Sequence, residues 1–177
     1  MGLTTKDSRT STFSLIHDGD VTAQFDMPYI TTADFTDLKQ QTSARLIIAS
    51  IETSNGEGVH VFSVDDAATS VVISKGSSRT RADKLRIVSF AGKYIAMGLD
   101  SRTGILTTWQ IVNTDNDYAF EIIDVTEGVK DFDPANSKTQ IFNYYVKLED
   151  ASAYFVVLTP GQQGIDVSGP TAIPFNT

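Results

Sequence analysis

Hydrophobic and polar residues alternate with a period of two along most of this chain. Between Thr12 and Met27, the alternation runs up to Asp18-Gly19 and resumes after it. Side chains of a β-strand point alternately to its two faces, so this pattern is typical of strands with one buried face. Asp-Gly between two alternating runs is a strong signal for a tight hairpin turn. The sequence therefore predicts a β-hairpin over this stretch.

The same combination of alternating runs and short turns recurs through the rest of the chain. Further hairpin turns are predicted at 65–68, 91–92, 113–117 and 150–151. About twelve short strands separated by turn residues are typical of an all-β barrel or sandwich. No change of composition marks a boundary, so we expect a single domain over 1–177. Its terminal segments, 1–11 and 160–177, are expected to be irregular, with one short strand near Ile165 to Val167.

The segment from Thr32 to Leu46 departs from the period of two. Thr32 is a suitable N-cap residue, and Phe35, Leu38 and Leu46 fall roughly on one face of a helix. A short helix is therefore an alternative to a strand in this segment.

The best-defined motif lies between Lys84 and Ile123. Its positions are Gly92, Lys93, Tyr94 and Ile95, then Ile105 and Leu106, then Trp109, Ile111, Tyr118, Phe120 and Ile122. This order resembles one repeat of the β-trefoil superfamily, as in the hisactophilin, fascin and ricin-B-like families. The resemblance implies a β-trefoil-like barrel of about twelve strands. No second Gly-Lys-Tyr follows Ile141 and Trp109 is the only tryptophan, so a β-sandwich or jelly roll is the alternative.

Two residues of this motif can be interpreted from their chemistry alone. Gly92 suits a turn, because glycine accepts a positive φ without a steric penalty. Trp109 is expected in the core, because its ring is a large apolar surface that is stabilised by burial.

Composition excludes several classes of site. The chain has no cysteine, which excludes disulfides, thiol catalysis and thiolate metal sites. Its formal net charge of −8 disfavours nucleic acid as a partner, because phosphate backbones repel an acidic protein. The polar N-terminus lacks the apolar core of a signal peptide, and no apolar run has the length of a membrane span. We therefore expect a protein that is cytoplasmic or released without a cleavable signal peptide.

Candidate catalytic and metal-binding residues are few. The two histidines, His17 and His60, accompany no recognisable nucleophile motif. Adjacent acids are frequent, but Asp commonly accepts local hydrogen bonds within tight turns. The stretches 113–117 and 131–136 have alternating oxygen side chains that suit calcium, yet neither has the glycine and distal glutamate of an EF-hand loop. The sequence predicts no enzyme, no cofactor and no metal site.

One cluster reverses the acidic character of the chain locally. Its members are Lys75, Arg79, Arg81, Lys84 and Arg86, with Asp83 as the only acid among them. Such a cluster suits an anion, an acidic sugar or the acidic face of a partner protein. A solvated basic loop is the alternative.

A lectin-like function follows from the resemblance. Trefoil lectins bind sugars in shallow pockets on hairpin loops, with an aromatic ring against the sugar and Asp or Asn on its hydroxyls. The implied ligand-binding residues here are Asp115, Asn116, Asp117 and Tyr118. The resemblance thus predicts a non-enzymatic carbohydrate-binding protein with a glycan or protein partner.

Two other functions are compatible with the sequence. The Thr- and Ser-rich, cysteine-free, β-rich chain suits a self-associating structural subunit, such as a viral or phage coat or tail protein. A trefoil-type protease inhibitor with an exposed binding loop is the third alternative.

Overall fold

The computed structural model describes most of the chain. The residues described are 2–5, 10–17, 20–28, 30–37, 44–53, 56–65, 71–78, 80–114, 117–162 and 164–174. They contain fifteen strands and no helix, so none of them belongs to a helix that could span a lipid bilayer. The all-β class predicted from the sequence is confirmed.

The strands follow one another with short connections. They are β1 (Gly2–Thr5), β2 (Thr10–His17), β3 (Asp20–Pro28), β4 (Ile30–Asp37), β5 (Ala44–Thr53), β6 (Gly56–Asp65), β7 (Val71–Ser78), β8 (Lys84–Phe90), β9 (Lys93–Asp100), β10 (Ile105–Thr114), β11 (Asp117–Thr126), β12 (Val129–Asn136), β13 (Ile141–Lys147), β14 (Ala153–Pro160) and β15 (Ile165–Ala172).

Consecutive strands pair antiparallel and form four sheets along the chain. Sheet 1 contains β1 to β3, sheet 2 contains β4 to β7, sheet 3 contains β8 to β11 and sheet 4 contains β12 to β15. The three four-stranded sheets contain twelve strands, and sheet 1, which includes the hairpin predicted at Asp18-Gly19, adds three more. Every hydrogen-bonded ladder among the described strands joins neighbours within one sheet, and none of these sheets closes on itself. Closure into a barrel therefore stays a prediction.

All five predicted hairpins are confirmed as antiparallel strand pairs. They are β2 with β3, β6 with β7, β8 with β9, β10 with β11, and β13 with β14. At the turn between β8 and β9, Ala91 has φ 49° and Gly92 has φ 75°. Positive φ at both central residues is typical of the type I′ turn, which suits the twist of paired strands. The expected positive φ at Gly92 is thus confirmed.

In two segments the structure adds to what the sequence indicated. Thr32 lies within β4 rather than at the start of a helix, and Phe35 of this strand pairs with Ile47 of β5. Pairing with an apolar neighbouring strand outweighs the weak helical spacing, because tertiary context overrides local propensity. In the terminal segments, the strand expected near Ile165 to Val167 is present and extends to Ala172, and Gly2–Thr5 also forms a strand. Gly169 and Pro170 suggested a loop, but an edge strand such as β15 tolerates proline.

Sheet 3 is the central layer of the described structure. One face packs against sheet 2 through Ile48, Val59, Val61, Ala82, Leu85, Ile87, Ala96, Trp109 and Ile111. The other face packs against sheet 4 through Phe90, Ile95, Met97, Leu99, Leu106, Val129, Phe132, Ile141, Tyr145, Val156 and Leu158. A sheet covered on both faces has continuous apolar runs. This explains the run Ile95–Leu99, and Trp109 is fully buried, as predicted.

Candidate functional site

The outer face of sheet 4 carries a group of apolar and aromatic side chains. On β13 and β14, the side chains buried against sheet 3 include Ile141, Asn143, Tyr145, Val156 and Leu158. Since side chains alternate between the faces of a strand, the residues between them point away from the core. We call these residues the aromatic face: Phe142, Tyr144, Val146, Phe155 and Val157.

Three rings of the aromatic face contact one another. The ring centroid of Tyr144 lies 6.2 Å from that of Phe142 and 6.0 Å from that of Phe155. The centroids of Phe142 and Phe155 are 6.1 Å apart. These separations fall within the range in which aromatic rings attract each other. Tyr144 is 41% exposed and the other two are half-buried, so the three rings form one platform with Tyr144 as its most accessible member.

Polar groups flank this platform on both edges of the sheet. Strand register places Asp133 of β12 opposite Tyr144, Tyr144 opposite Phe155, and Phe155 opposite Thr171 of β15. The Asp133 side chain is 76% exposed, and Thr171 is exposed as well. A neighbouring row adds Ser168, opposite Val157. The face therefore offers apolar rings at its centre, a carboxylate on one side and hydroxyl groups on the other.

Two members of the predicted basic cluster bind carboxylates of this same chain. Lys84 on β8 places its Nζ 2.8 Å from Asp131 Oδ1 on β12. It also donates to the carbonyl oxygen of Phe132 at 2.5 Å and lies 5.1 Å from the centroid of the Phe132 ring. Arg86 Nε lies 3.4 Å from Asp133 Oδ1. The contacts join sheet 3 to sheet 4, so the acidic groups that match these cations lie within the chain.

The hydrogen bond from Lys84 also changes the titration of its partner. Together with weaker contributions from the Phe132 N–H and the Lys84 and Arg86 charges, it lowers the pKa of Asp131, although partial burial opposes the shift. Asp131 therefore stays ionised, and the ion pair intact, to a lower pH than an ordinary aspartate would allow.

Arg81 is held by a separate set of contacts. Its Nη2 atom lies 2.9 Å from Asp83 Oδ1, and the other oxygen of Asp83 accepts a hydrogen bond from the Ser101 backbone N–H at 2.8 Å. The hydrogen bond from the Ser101 hydroxyl is the main cause that lowers the pKa of Asp83. Lys75 lies on β7, but its side chain and all of Arg79 lie outside the described residues. Lys84, Arg86 and Arg81 thus face carboxylates on two different parts of the surface.

The predicted ligand loop is described only in part. Asp115 and Asn116 lie outside the described residues, as does the side chain of Asp117, the first residue of β11. Tyr118 is half-buried and packs against the apolar cluster that contains Trp109. Its ring therefore belongs largely to the interior between sheets 2 and 3.

The two histidines lie on β2 and β6, and the acidic turn at Asp100 has a local structural role. Burial lowers the pKa of half-buried His60, so this imidazole is neutral near pH 7, whereas the side chain of His17 lies outside the described residues. In the described ranges, no group of three or more His, Asp or Glu side chains could hold a metal ion. Asp100 Oδ1 accepts from the Arg102 N–H at 3.1 Å, which is the local role expected of turn aspartates.

The aromatic face was not found from the sequence. Its signal is the run Ile141–Val146, in which both alternating sets of side chains are largely apolar. Alternation reveals a strand, but it shows which face is buried only when the other face is polar. The pairing partners of β13 and β14 were therefore needed to separate the core from the exposed rings.

Comparison with known proteins adds no functional assignment. No protein-family model matches this chain, and no curated protein matches it significantly. Its function has to be inferred from the geometry described above.

Proposed function

We propose that this protein is a non-enzymatic, lectin-like carbohydrate-binding protein, and that the aromatic face of sheet 4 is its binding surface. The observation that carries the proposal is the row Asp133, Tyr144, Phe155 and Thr171, in which polar groups flank contacting rings. The proposal moves the binding surface from the loop at 115–118 to another sheet. The loop at 115–118 stays a prediction, as a second place where the glycan would contact the protein.

The chemistry of a sugar matches this arrangement. One face of a pyranose ring presents C–H groups that pack against an aromatic ring, while its hydroxyl groups project around the rim. Tyr144 would support the C–H face, Asp133 would accept hydrogen bonds from the rim hydroxyls, and the Thr171 hydroxyl would donate or accept one. Contacts of these kinds contribute about 0.5–1.5 kcal/mol each. Such a surface suits weak binding to a single sugar, strengthened when several sugars of a glycan bind several copies.

The fold proposal is a β-trefoil-like arrangement of sheets 2, 3 and 4. Its support is numerical, because these sheets supply twelve strands in three successive groups of four. Each group of four strands is continuous in sequence, as expected for repeats of the length seen between Lys84 and Ile123. A trefoil would also need pairing between the groups, which an experimental structure would test.

A glycan array tests the functional proposal. We expect the labelled protein to bind a restricted set of glycans and Tyr144→Ala to lose that binding. Tyr144 is 41% exposed, so its removal should leave the fold intact, as circular dichroism would check. Ile122→Ala is the matched control, because it removes a 62% exposed apolar side chain from another sheet. Absence of glycan binding by the unmodified protein, or equal loss in both variants, would contradict the proposal.

A structural subunit of a larger assembly is the second candidate. The observation that favours it is the face-to-face packing of sheets 2, 3 and 4, which leaves an apolar outer surface on sheet 4. A further sheet from another copy could cover that surface in the same way. Light scattering coupled to size exclusion separates the two candidates. Large, defined particles that Tyr144→Lys disperses would favour the assembly, whereas a monomer would favour the lectin.

A further inference from the structure

The edge strand β11 separates exposed apolar and acidic side chains onto opposite faces of sheet 3. Ile122 pairs with Trp109 and Val125 pairs with Thr107, which places both on the face directed towards sheet 2. The pairing register shifts between these two pairs, and this shift leaves the side chains of Ile122 and Val125 on the same face. Their exposure is 62% for Ile122 and 50% for Val125, so this half of the strand is open to water.

The acids of β11 lie on the other face. Glu121 pairs with Gln110 and Asp124 pairs with Thr108, so both point to the side of sheet 4. Glu121 is exposed, and Asp124 Oδ2 accepts a hydrogen bond from the Thr126 hydroxyl at 3.0 Å. Within the described structure, neither carboxylate pairs with a cation. By contrast, Asp131 and Asp133 form ion pairs with Lys84 and Arg86.

Neighbouring edge strands carry features that discourage pairing with another chain. On β8, the Ile87 N–H donates to Asp34 Oδ2 at 2.8 Å, and β4 packs alongside. β12 contains Pro134, which has no N–H, and β15 contains Gly169 and Pro170 next to an irregular register. Proline, irregular pairing and covering groups all block edge-to-edge pairing.

β11 shares one of these features, the register shift beside Ile123, but is otherwise less protected along its exposed half. The strand contains no proline, and among the described strands it is hydrogen-bonded only to β10. β7 packs alongside it, yet Ile122 and Val125 keep half or more of their surface in water. No described strand is hydrogen-bonded to the outer edge of this half, so its main-chain groups are available to an added strand.

We propose that the exposed half of β11 binds an extended segment of a partner protein in which basic and apolar residues alternate. An added strand would direct alternate side chains to the two faces of sheet 3. Its basic residues would meet Glu121 and Asp124, and its apolar residues would cover Ile122 and Val125. A second copy bound through the same strand would instead bring a second set of these acids close to the first, which is repulsive.

The chain itself supplies a suitable probe. The peptide Lys-Leu-Arg-Ile-Val-Ser-Phe, the sequence of β8, alternates basic and apolar residues at its start. In the folded protein Leu85 and Ile87 are buried, and Lys84 and Arg86 form ion pairs, so β8 itself is not the partner of β11. The added peptide only reproduces the alternation of basic and apolar residues. Fluorescence anisotropy of the labelled peptide would measure its affinity for the full chain. The same peptide with Lys84→Glu and Arg86→Glu tests whether the basic residues matter.

We expect the basic peptide to bind and the acidic peptide not to bind. Glu121→Lys should weaken binding about tenfold, because it reverses a charge that the peptide faces. Glu149→Lys is the matched control, since it makes the same charge change in an exposed loop after β13 and should have little effect. Backbone amides of 121–125 should also exchange more slowly with solvent when the peptide is bound.

Three results would overturn the proposal. The first is no binding of the basic peptide to the unmodified chain. The second is an equal loss in Glu121→Lys and Glu149→Lys, which would indicate general attraction to an acidic protein. The third is a dimer of the unmodified chain that protects the 121–125 amides without any peptide, because a second copy would then occupy this edge.

Discussion

Gly98 on β9 lies directly against the indole of Trp109 on β10. A Cβ at residue 98 would lie 2.9 Å from Trp109 Cζ3 and 3.0 Å from Cη2. Ala96 pairs with Trp109 across the same ladder, and Ala82 lies 3.0 Å from the same Cβ position. Small residues thus leave the space that the largest side chain fills between sheets 2 and 3. This accounts for glycine and alanine within an otherwise bulky buried strand.

Gly98→Ala should therefore destabilise the protein. The added methyl group would press on a fully buried ring in a packed core, and overpacking of this kind costs about 1–3 kcal/mol. Chemical denaturation followed by fluorescence would measure the change in the free energy of unfolding. Gly164→Ala is the control, because a Cβ there would have no atom within 4 Å. Equal effects of the two substitutions would show that the contact with Trp109 is not the cause.

Ala91→Asn should stabilise the protein. Ala91 has φ 49°, a left-handed conformation that costs alanine about 1–2 kcal/mol, whereas asparagine tolerates it well. The side chain is exposed, so the larger residue has room. We expect the free energy of unfolding to rise by up to about 1 kcal/mol, which is part of the steric cost of alanine in this conformation. A loss of stability in urea denaturation would mean that this turn does not have the type I′ conformation.

The contact between Lys84 and Asp131 should stabilise the folded protein near neutral pH and lose this effect in acid. Its hydrogen bond lowers the pKa of Asp131 in the folded chain. The contribution is therefore fully present above the ordinary pKa of an aspartate, near 4, and is lost as the pH falls through the lower folded value. Since the side chain is 63% exposed, we expect at most about 1 kcal/mol.

Unfolding free energies measured between pH 6 and pH 2.5 at low salt would test this. Asp131→Asn should lower stability at pH 6 and flatten the loss on acidification. Glu149→Gln, which changes an exposed loop carboxylate, should keep the slope of the unmodified protein. Identical slopes for all three proteins would exclude a role of this contact in acid stability.

The local elements of this fold could be predicted because their signals are short-range. Alternation flanking Ala91-Gly92 and the Asn113–Asp117 turn identified hairpins from neighbouring residues alone. The sequence does not decide between strand and helix around Thr32, because that choice depends on pairing with β5. The ion pairs of Lys84 and Arg86 join positions 47 residues apart, and no local pattern indicates which acids will face which cations.

The candidate site was harder to predict for a related reason. The predicted loop at Asp115–Tyr118 was chosen by resemblance, whereas the aromatic face depends on which side of β13 is buried. That choice is made by packing against β9 and β10, which bury Tyr145 and leave Tyr144 exposed. Two adjacent tyrosines with opposite environments cannot be distinguished by composition or spacing.

Amide chemical-shift mapping with a panel of neutral and acidic oligosaccharides tests the central claim most directly, because it locates a bound sugar on the chain. The account predicts shifts centred on Tyr144, Phe155 and Thr171 that disappear in Tyr144→Ala. Shifts centred on Asn113 to Tyr118, or no saturable shifts with any saccharide, would contradict binding at the aromatic face.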